Sequence, residues 1–230
     1  MFDLHGYGAS VLEGAWLTLA VALASLLLAV VLGLAGAAAK LAPLRGLRAL
    51  ATVYTTLMRG MPDLVLMLLI FFGGQMLVNR ITDALGWDYI DIDPFVAGVM
   101  TIGLIFGAYM TETFRGAILA VPKGQLEAGY AYGMNGWQVF RRILLPQMVR
   151  YALPGFGNNW LVLLKTTALV SVIGLDDMMR KASLAAGATR MPFTFYFVVA
   201  LGFLAFTSVS VLLLRWAERR YSAGFVRREE

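Results

Sequence analysis

The sequence has no cysteine and a single histidine. Disulfides and thiolate metal sites are therefore excluded, and no metal-ligand spacing occurs elsewhere. His5 alone cannot complete a Ser/His/Asp constellation. No glycine-rich loop ends in Gly-Lys-Ser/Thr, so nothing in the chain points to catalysis or to ATP binding of its own. Charge is also scarce. Only 14% of residues are Asp, Glu, Lys or Arg, against 60% hydrophobic, whereas a soluble domain carries about 25% charged and about 45–50% apolar residues. The formal charge of +5 is carried by bases that fall between apolar runs, not on one face. That pattern argues for membrane topology rather than a nucleic-acid partner. There is no internal repeat and no low-complexity tract, so residues 1–230 read as a single transmembrane domain. Residues 1–13 hold no Lys or Arg, and no cleaved signal peptide is expected.

What is present is a series of uncharged runs. A bilayer needs about 20 apolar residues in a helix. Five spans are expected, near residues 12–39, 58–79, 94–116, 152–175 and 192–215. In the first, Ser25, Ala29, Gly33 and Ala37 recur every four residues. Such a stripe lets a second helix approach closely. In the third, Gly103 and Gly107 make a GxxxG step of the same kind. The uncharged core of the second is short, 64–79, so this span is expected to draw on the turns before it. Arg59-Gly60-Met61-Pro62-Asp63 would then lie near its start, where Pro62 breaks the backbone ladder and frees carbonyls that need partners.

Loop charges orient these spans. Lys40, Arg45, Arg48 and Arg59 follow the first span with no acid among them. The loop 80–93 carries Asp83, Asp88, Asp91 and Asp93 against Arg80. The segment 115–150 carries Arg115, Lys123, Arg141, Arg142 and Arg150 against Glu127. By the positive-inside rule the N-terminus is outside, the 115–150 segment is cytoplasmic and the basic tail from Arg215 is cytoplasmic. The loop 176–190 has mixed charge and is placed by its neighbours.

The cytoplasmic segment 120–150 is more than a linker. Glu127 and Ala128 open a helix-prone run that Gly133 interrupts, and Asn135-Gly136 marks a turn. A second run from Trp137 spaces Val139, Phe140, Ile143 and Leu144 as a helix does, and Pro146 is expected to close it. Two short helices across a turn would make a compact knob on the membrane surface.

Glu127-Ala128-Gly129, Gly133 and Ile143-Leu144-Leu145-Pro146 resemble the EAA loop of bacterial ABC-importer permeases, with Gly129 where the family pattern has alanine. The runs 54–66, 91–94, 111–117, 120–125, 151–160, 164–171 and 218–222 resemble the polar amino acid branch, and its Q-type subunits for histidine, lysine, arginine and ornithine in particular. The resemblance covers most of the chain. It implies an all-α polytopic membrane protein with the type I ABC importer permease fold and a cytoplasmic coupling-helix loop. It implies an M-type permease partner in a heterodimer, two ABC ATPase subunits that bind ATP and Mg, and a periplasmic amino-acid-binding protein. It places the chain in the bacterial inner membrane with no cofactor of its own. On this reading Glu127, Ala128, Gly133, Asn135 and Pro146 form the ATPase-coupling set.

The candidates for the substrate path are Asn158, Asn159, Lys165, Thr166, Glu112 and Arg59. Lys165 interrupts the fourth span, and an intramembrane lysine needs a partner or water. It either holds a substrate carboxylate or is neutralised by a neighbour. Glu112 stands three residues from Arg115 and can pair with it structurally or offer a counter-charge. Arg59 either snorkels or serves the path. The competing function class is a standalone secondary transporter or channel subunit. It would need its own ion relay, yet intramembrane acids are few, and no inverted repeat is evident. A membrane-embedded enzyme would need residues for chemistry that are not here.

Overall fold

The computed structural model describes residues 4–222. Asp3 and residues 223–230, the last part of the basic tail, lie outside the described residues. Among the described residues every regular element is helical. The order is α1 (Gly8–Leu41), α2 (Arg45–Gly60), α3 (Asp63–Leu85), α4 (Pro94–Leu119), α5 (Lys123–Ala131) and α6 (Gly136–Val139). A π turn (Phe140–Leu144), α7 (Leu145–Thr166), a 3₁₀ stretch (Thr167–Ile173), α8 (Met178–Thr189) and α9 (Pro192–Ser222) complete it. Among the described residues, five segments are long and apolar enough to cross a membrane: Gly8–Leu41, Asp63–Leu85, Pro94–Leu119, Gly136–Ile173 and Pro192–Tyr221.

Two expectations change. The stretch 58–79 is not one span. Arg59 and Gly60 end α2, Met61 and Pro62 are extended, and α3 starts at Asp63. Pro62 lacks an N–H and disfavours helix at the residue before it, so the break falls there. The apolar segment gains its length forward, through Arg80 and Asp83 to Leu85. Pro146 likewise does not close a helix. The chain is helical from Gly136 through Ile173, which absorbs the second half of the loop 120–150. A proline inside a helix clashes with the carbonyl four residues back. The π turn immediately before it, closed by Leu145 N–H on the Phe140 carbonyl, widens the backbone where the ring must fit.

The core is a seam between α1 and α4, the most extensive helix pair in the chain. Ser25, Ala29, Gly33 and Ala37 are all buried on α1, continued toward its start by Gly14, Thr18, Val21 and Ala22. A methyl group on Gly33 would sit 2.5 Å from Met110 Cβ, and one on Gly36 would run into Thr111. From the other side, a methyl on Gly103 would meet Leu28 at 2.5 Å, and one on Gly107 would meet Leu32 at 2.8 Å. Each helix thus presents small residues to the other's larger ones. The paired positions advance in the same sense on both helices, so α1 and α4 run parallel. α7, α3 and α2 cover the rest of α4.

At the end where α1 begins, α8 is locked onto the bundle. Asp177 caps it, accepting from Arg180 N–H at 2.8 Å. Thr18 Oγ1 donates to the Gly14 carbonyl and accepts from Met178 N–H at 3.1 Å. A methyl on Gly14 would lie 2.7 Å from the Asp177 backbone, so glycine is required for the approach. Lys181 pairs with Glu13 at 2.7 Å. Asp177 is fully buried, and its Oδ2 has no hydrogen-bond partner among the described residues. Burial pushes its carboxyl up to about 6, against the hydrogen bonds from Arg180 and Met179 N–H.

Two predictions follow from this packing. Gly33→Leu or Gly36→Leu forces the seam apart and is expected to lose about 1–3 kcal/mol, as overpacked cores do. Gly73→Ala, where nothing lies within 4 Å, should leave the detergent melting temperature at or slightly above wild type. The second concerns Asp177. Its carboxyl rises from 3.8 unfolded to about 6 folded, so the folded state binds the extra proton. Stability is full below the lower value and falls as pH rises through the higher one. Asp177→Asn keeps a good cap and should flatten that fall between about pH 4 and 6 in melting curves.

Candidate functional site

The knob is built from α5, the following turn and α6. α5 ends in a left-handed glycine: Gly133 has φ +77°. Its N–H donates to the Tyr130 carbonyl at 2.9 Å and Met134 N–H donates to the Gly129 carbonyl at 3.1 Å, the paired bonds of a Schellman motif. Asn135 then caps α6 in a capping box. Its side chain accepts from Gln138 N–H, and the Gln138 side chain accepts from Asn135 N–H, both at 2.9 Å. Close approach occurs at Gly129, not Gly133. A methyl on Gly129 would meet Ile143 at 2.6 Å and Val139 at 3.2 Å, whereas nothing lies within 4 Å of Gly133. The glycine that replaces the family's alanine is therefore the contact between the two arms. Gln147 Nε2 donates to Gln125 Oε1 at 2.5 Å and to the Ile143 carbonyl, fastening α5 to α7. Glu127, Ala128, Gly133 and Asn135 are all exposed.

Where α4 approaches the knob, Glu112 carries two cations. Arg115 Nε lies 3.1 Å from Oε2, and Lys40 Nζ, from the end of α1, reaches Oε1. The Arg115 pair is legible from spacing. Lys40 is distant in sequence, and its only signal is that a base ends one span where an acid ends a parallel one. The network joins the basic ends of α1 and α4.

One turn of α4, residues 109–113, gathers three of the six path candidates. Asn159 of α7 donates to Thr113 Oγ1 at 3.0 Å, and Thr113 donates to the Tyr109 carbonyl at 3.2 Å. The Arg59 guanidinium stands 5.2 Å from the centroid of the Tyr109 ring, a cation–π contact. Glu112 belongs to the same turn. The other three lie apart. Thr166 is buried and donates to the Val162 carbonyl of its own helix. Lys165 is exposed, and no ion pair is formed with it among the described residues. Asn158 is exposed and lines a cavity of about 280 Å³ with Arg215 and Glu218 of α9. A second cavity, about 380 Å³, between α7 and α9 is walled by Phe114, Met148, Phe156 and Leu214 and offers no polar surface. It does not suit a zwitterion.

Among the described residues, five helices of membrane length form one bundle, with a short helical knob between the third and fourth. Comparison with known proteins makes the class explicit. Residues 29–223 match the family described as the binding-protein-dependent transport system inner membrane component, and the chain belongs to that family. It is 55% identical over 224 residues to the histidine/lysine/arginine/ornithine transport system permease protein HisQ of Salmonella typhimurium, covering 97% of this chain and 98% of that one. It is 43% identical to the octopine transport system permease protein OccQ of Agrobacterium tumefaciens, covering 98% and 96%. Among solved structures, the crystal structure of an amino acid ABC transporter with histidines superposes with a TM-score of 0.80 at 31% identity, over 96% of this chain and 99% of that one. The MetNI methionine ABC transporter shares the fold, with a TM-score of 0.70 at 17% identity. The chain thus has the type I ABC importer permease fold and is a permease subunit with several membrane-spanning helices.

The charge network yields a prediction. Glu112→Ala strands two cations, whereas Lys40→Met strands none, because Glu112 keeps Arg115. Glu112→Ala should cost about 1–3 kcal/mol, visible as a lowered melting temperature, and Lys40→Met clearly less.

Proposed function

We propose that this chain is the Q-type permease of an ATP-driven importer for basic amino acids of the histidine, lysine, arginine and ornithine class. It pairs with an M-type permease, two ABC ATPase subunits that bind ATP and Mg, and a periplasmic amino-acid-binding protein. The N-terminus lies outside and the C-terminus in the cytoplasm. The assembled complex hydrolyses ATP, and this chain carries no ATP site. Support comes from near full-length identity to a permease whose name specifies those four amino acids. The observation that carries the mechanism is the build of the knob. Its two arms are held by a Schellman turn, a capping box and the Gly129–Ile143 contact, and its second arm continues as one helix into α7.

Closure of the ATPase dimer on ATP moves the knob, and the knob moves α4 and α7 with it. The permease pair rocks between inward-open and outward-open states, a rigid-body transition. The coupling set is Glu127, Ala128, Gly133 and Asn135. Pro146 shapes the helix behind them. A permeating basic amino acid brings one carboxylate to meet, and Arg59 and Lys165 are the exposed cations on this subunit's path. Asn159 and Glu112 hold helices rather than substrate.

The test is substrate-stimulated ATP hydrolysis of the reconstituted complex with Gly133→Val, after checking that the permease inserts. A β-branched residue at φ +77° is strained, so the turn should deform and stimulation fall by about tenfold or more. Unchanged stimulation would reject the knob as the coupling element.

A further inference from the structure

The knob exposes aromatic side chains that its own packing does not use. α5 buries only Gly129 and α6 only Val139. Tyr132 is 89% exposed, Trp137 66% and Tyr130 55%. Trp137 stacks on Phe140, with centroids 5.5 Å apart. Exposed aromatics crowded into so short a polar stretch mark a contact surface. The backbone under Tyr132 is already fixed. Its N–H donates to the Ala128 carbonyl at 3.0 Å, and the left-handed Gly133 follows at once. The backbone there has little freedom left to lose on binding, and tyrosine adds only two side-chain torsions, which favours an aromatic anchor. The charges around it are one-sided: Lys123, Arg141 and Arg142 are exposed, with Glu127 the acid among them.

We propose that Tyr132 is the anchor of the ATPase contact, entering an apolar pocket with an acidic rim. This rests on the coupling reading above and names the side chain that makes the contact. Tyr132 stands at the end of α5, beyond the arm that runs into the membrane, so a protein groove fits it better than a lipid surface. The basic side chains complement the acidic rim and set the orientation of docking.

The test uses the assembled complex of this chain with its permease partner, ATPase and binding protein. The chain has no cysteine, so Ala128→Cys gives a single labelling site on its knob. ATPase retention through purification and stimulated hydrolysis are measured for Tyr132→Ala and Tyr132→Phe. Alanine should lower ATPase affinity by about tenfold or more, as loss of an interface anchor does, and phenylalanine should restore most of it. Raised salt should weaken docking of the wild type. If Tyr132→Ala holds the ATPase as wild type does while Ala128→Cys still cross-links to it, the anchor assignment is overturned and the coupling reading survives. If Ala128→Cys does not cross-link and stimulation ignores every knob variant, both fall. Quenching of a Tyr132→Trp variant by brominated lipids would place the side chain in the membrane and also overturn the proposal.

Discussion

The close approach of α1 and α4 is the interaction on which the rest of the bundle depends. In lipid there is little hydrophobic gain in bringing two helices together, so packing density and backbone proximity must hold them. Here both helices contribute. Gly33 and Gly36 admit Met110 and Thr111, and Gly103 and Gly107 admit Leu28 and Leu32. Because the two helices are parallel, their basic ends coincide, and Lys40 can reach Glu112. The other contacts are made to the outer faces of this pair: α7 through Asn159 and Gly155, α2 through Tyr54 and Arg59, α8 through Gly14 and Thr18.

That arrangement bears on the proposed coupling. The knob leaves α4 and returns as α7, and these two helices are themselves bonded at Asn159 and Thr113. A proline at 146 would ordinarily make a hinge between knob and span. The π turn accommodates it instead, and the helix continues. The Gln147–Gln125 bond closes the remaining side of the knob. These bonds join α5 to α7, the route by which the proposed coupling would move both together. The segment has no glycine between Gly136 and Gly155, and Pro154 lies inside α7 beyond the knob.

Much of this could be read in the sequence because it depends on spacing within one helix. The small-residue stripe 25, 29, 33 and 37, the Gly103–Gly107 step, the Glu112–Arg115 pair and the turn at Gly133–Asn135 are all local patterns. What could not be read depends on which elements meet. Lys40 and Glu112 belong to different spans. Tyr109 is ordinary until Arg59 lies over it. Pro62 and Pro146 look alike in sequence, yet one falls between two helices and the other is carried through a continuous helical stretch, behind a π turn. The six path candidates were polar residues near apolar runs, and polarity does not reveal helix face. Asn159 and Thr166 face protein, while Asn158 and Lys165 face outward.

On the proposed mechanism the knob and α7 move as one body when the ATPase closes. The most direct measurement is the distance between spin labels on α5 and α7, at Gly124→Cys and Tyr151→Cys, in the reconstituted complex without nucleotide and with ATP trapped. Rigid transmission predicts one unchanged distance distribution within this chain in both states, while the distance from Gly124 to the partner permease's knob shortens. A distribution between 124 and 151 that shifts or splits with nucleotide would mean that the segment bends near Pro146, and would contradict the account.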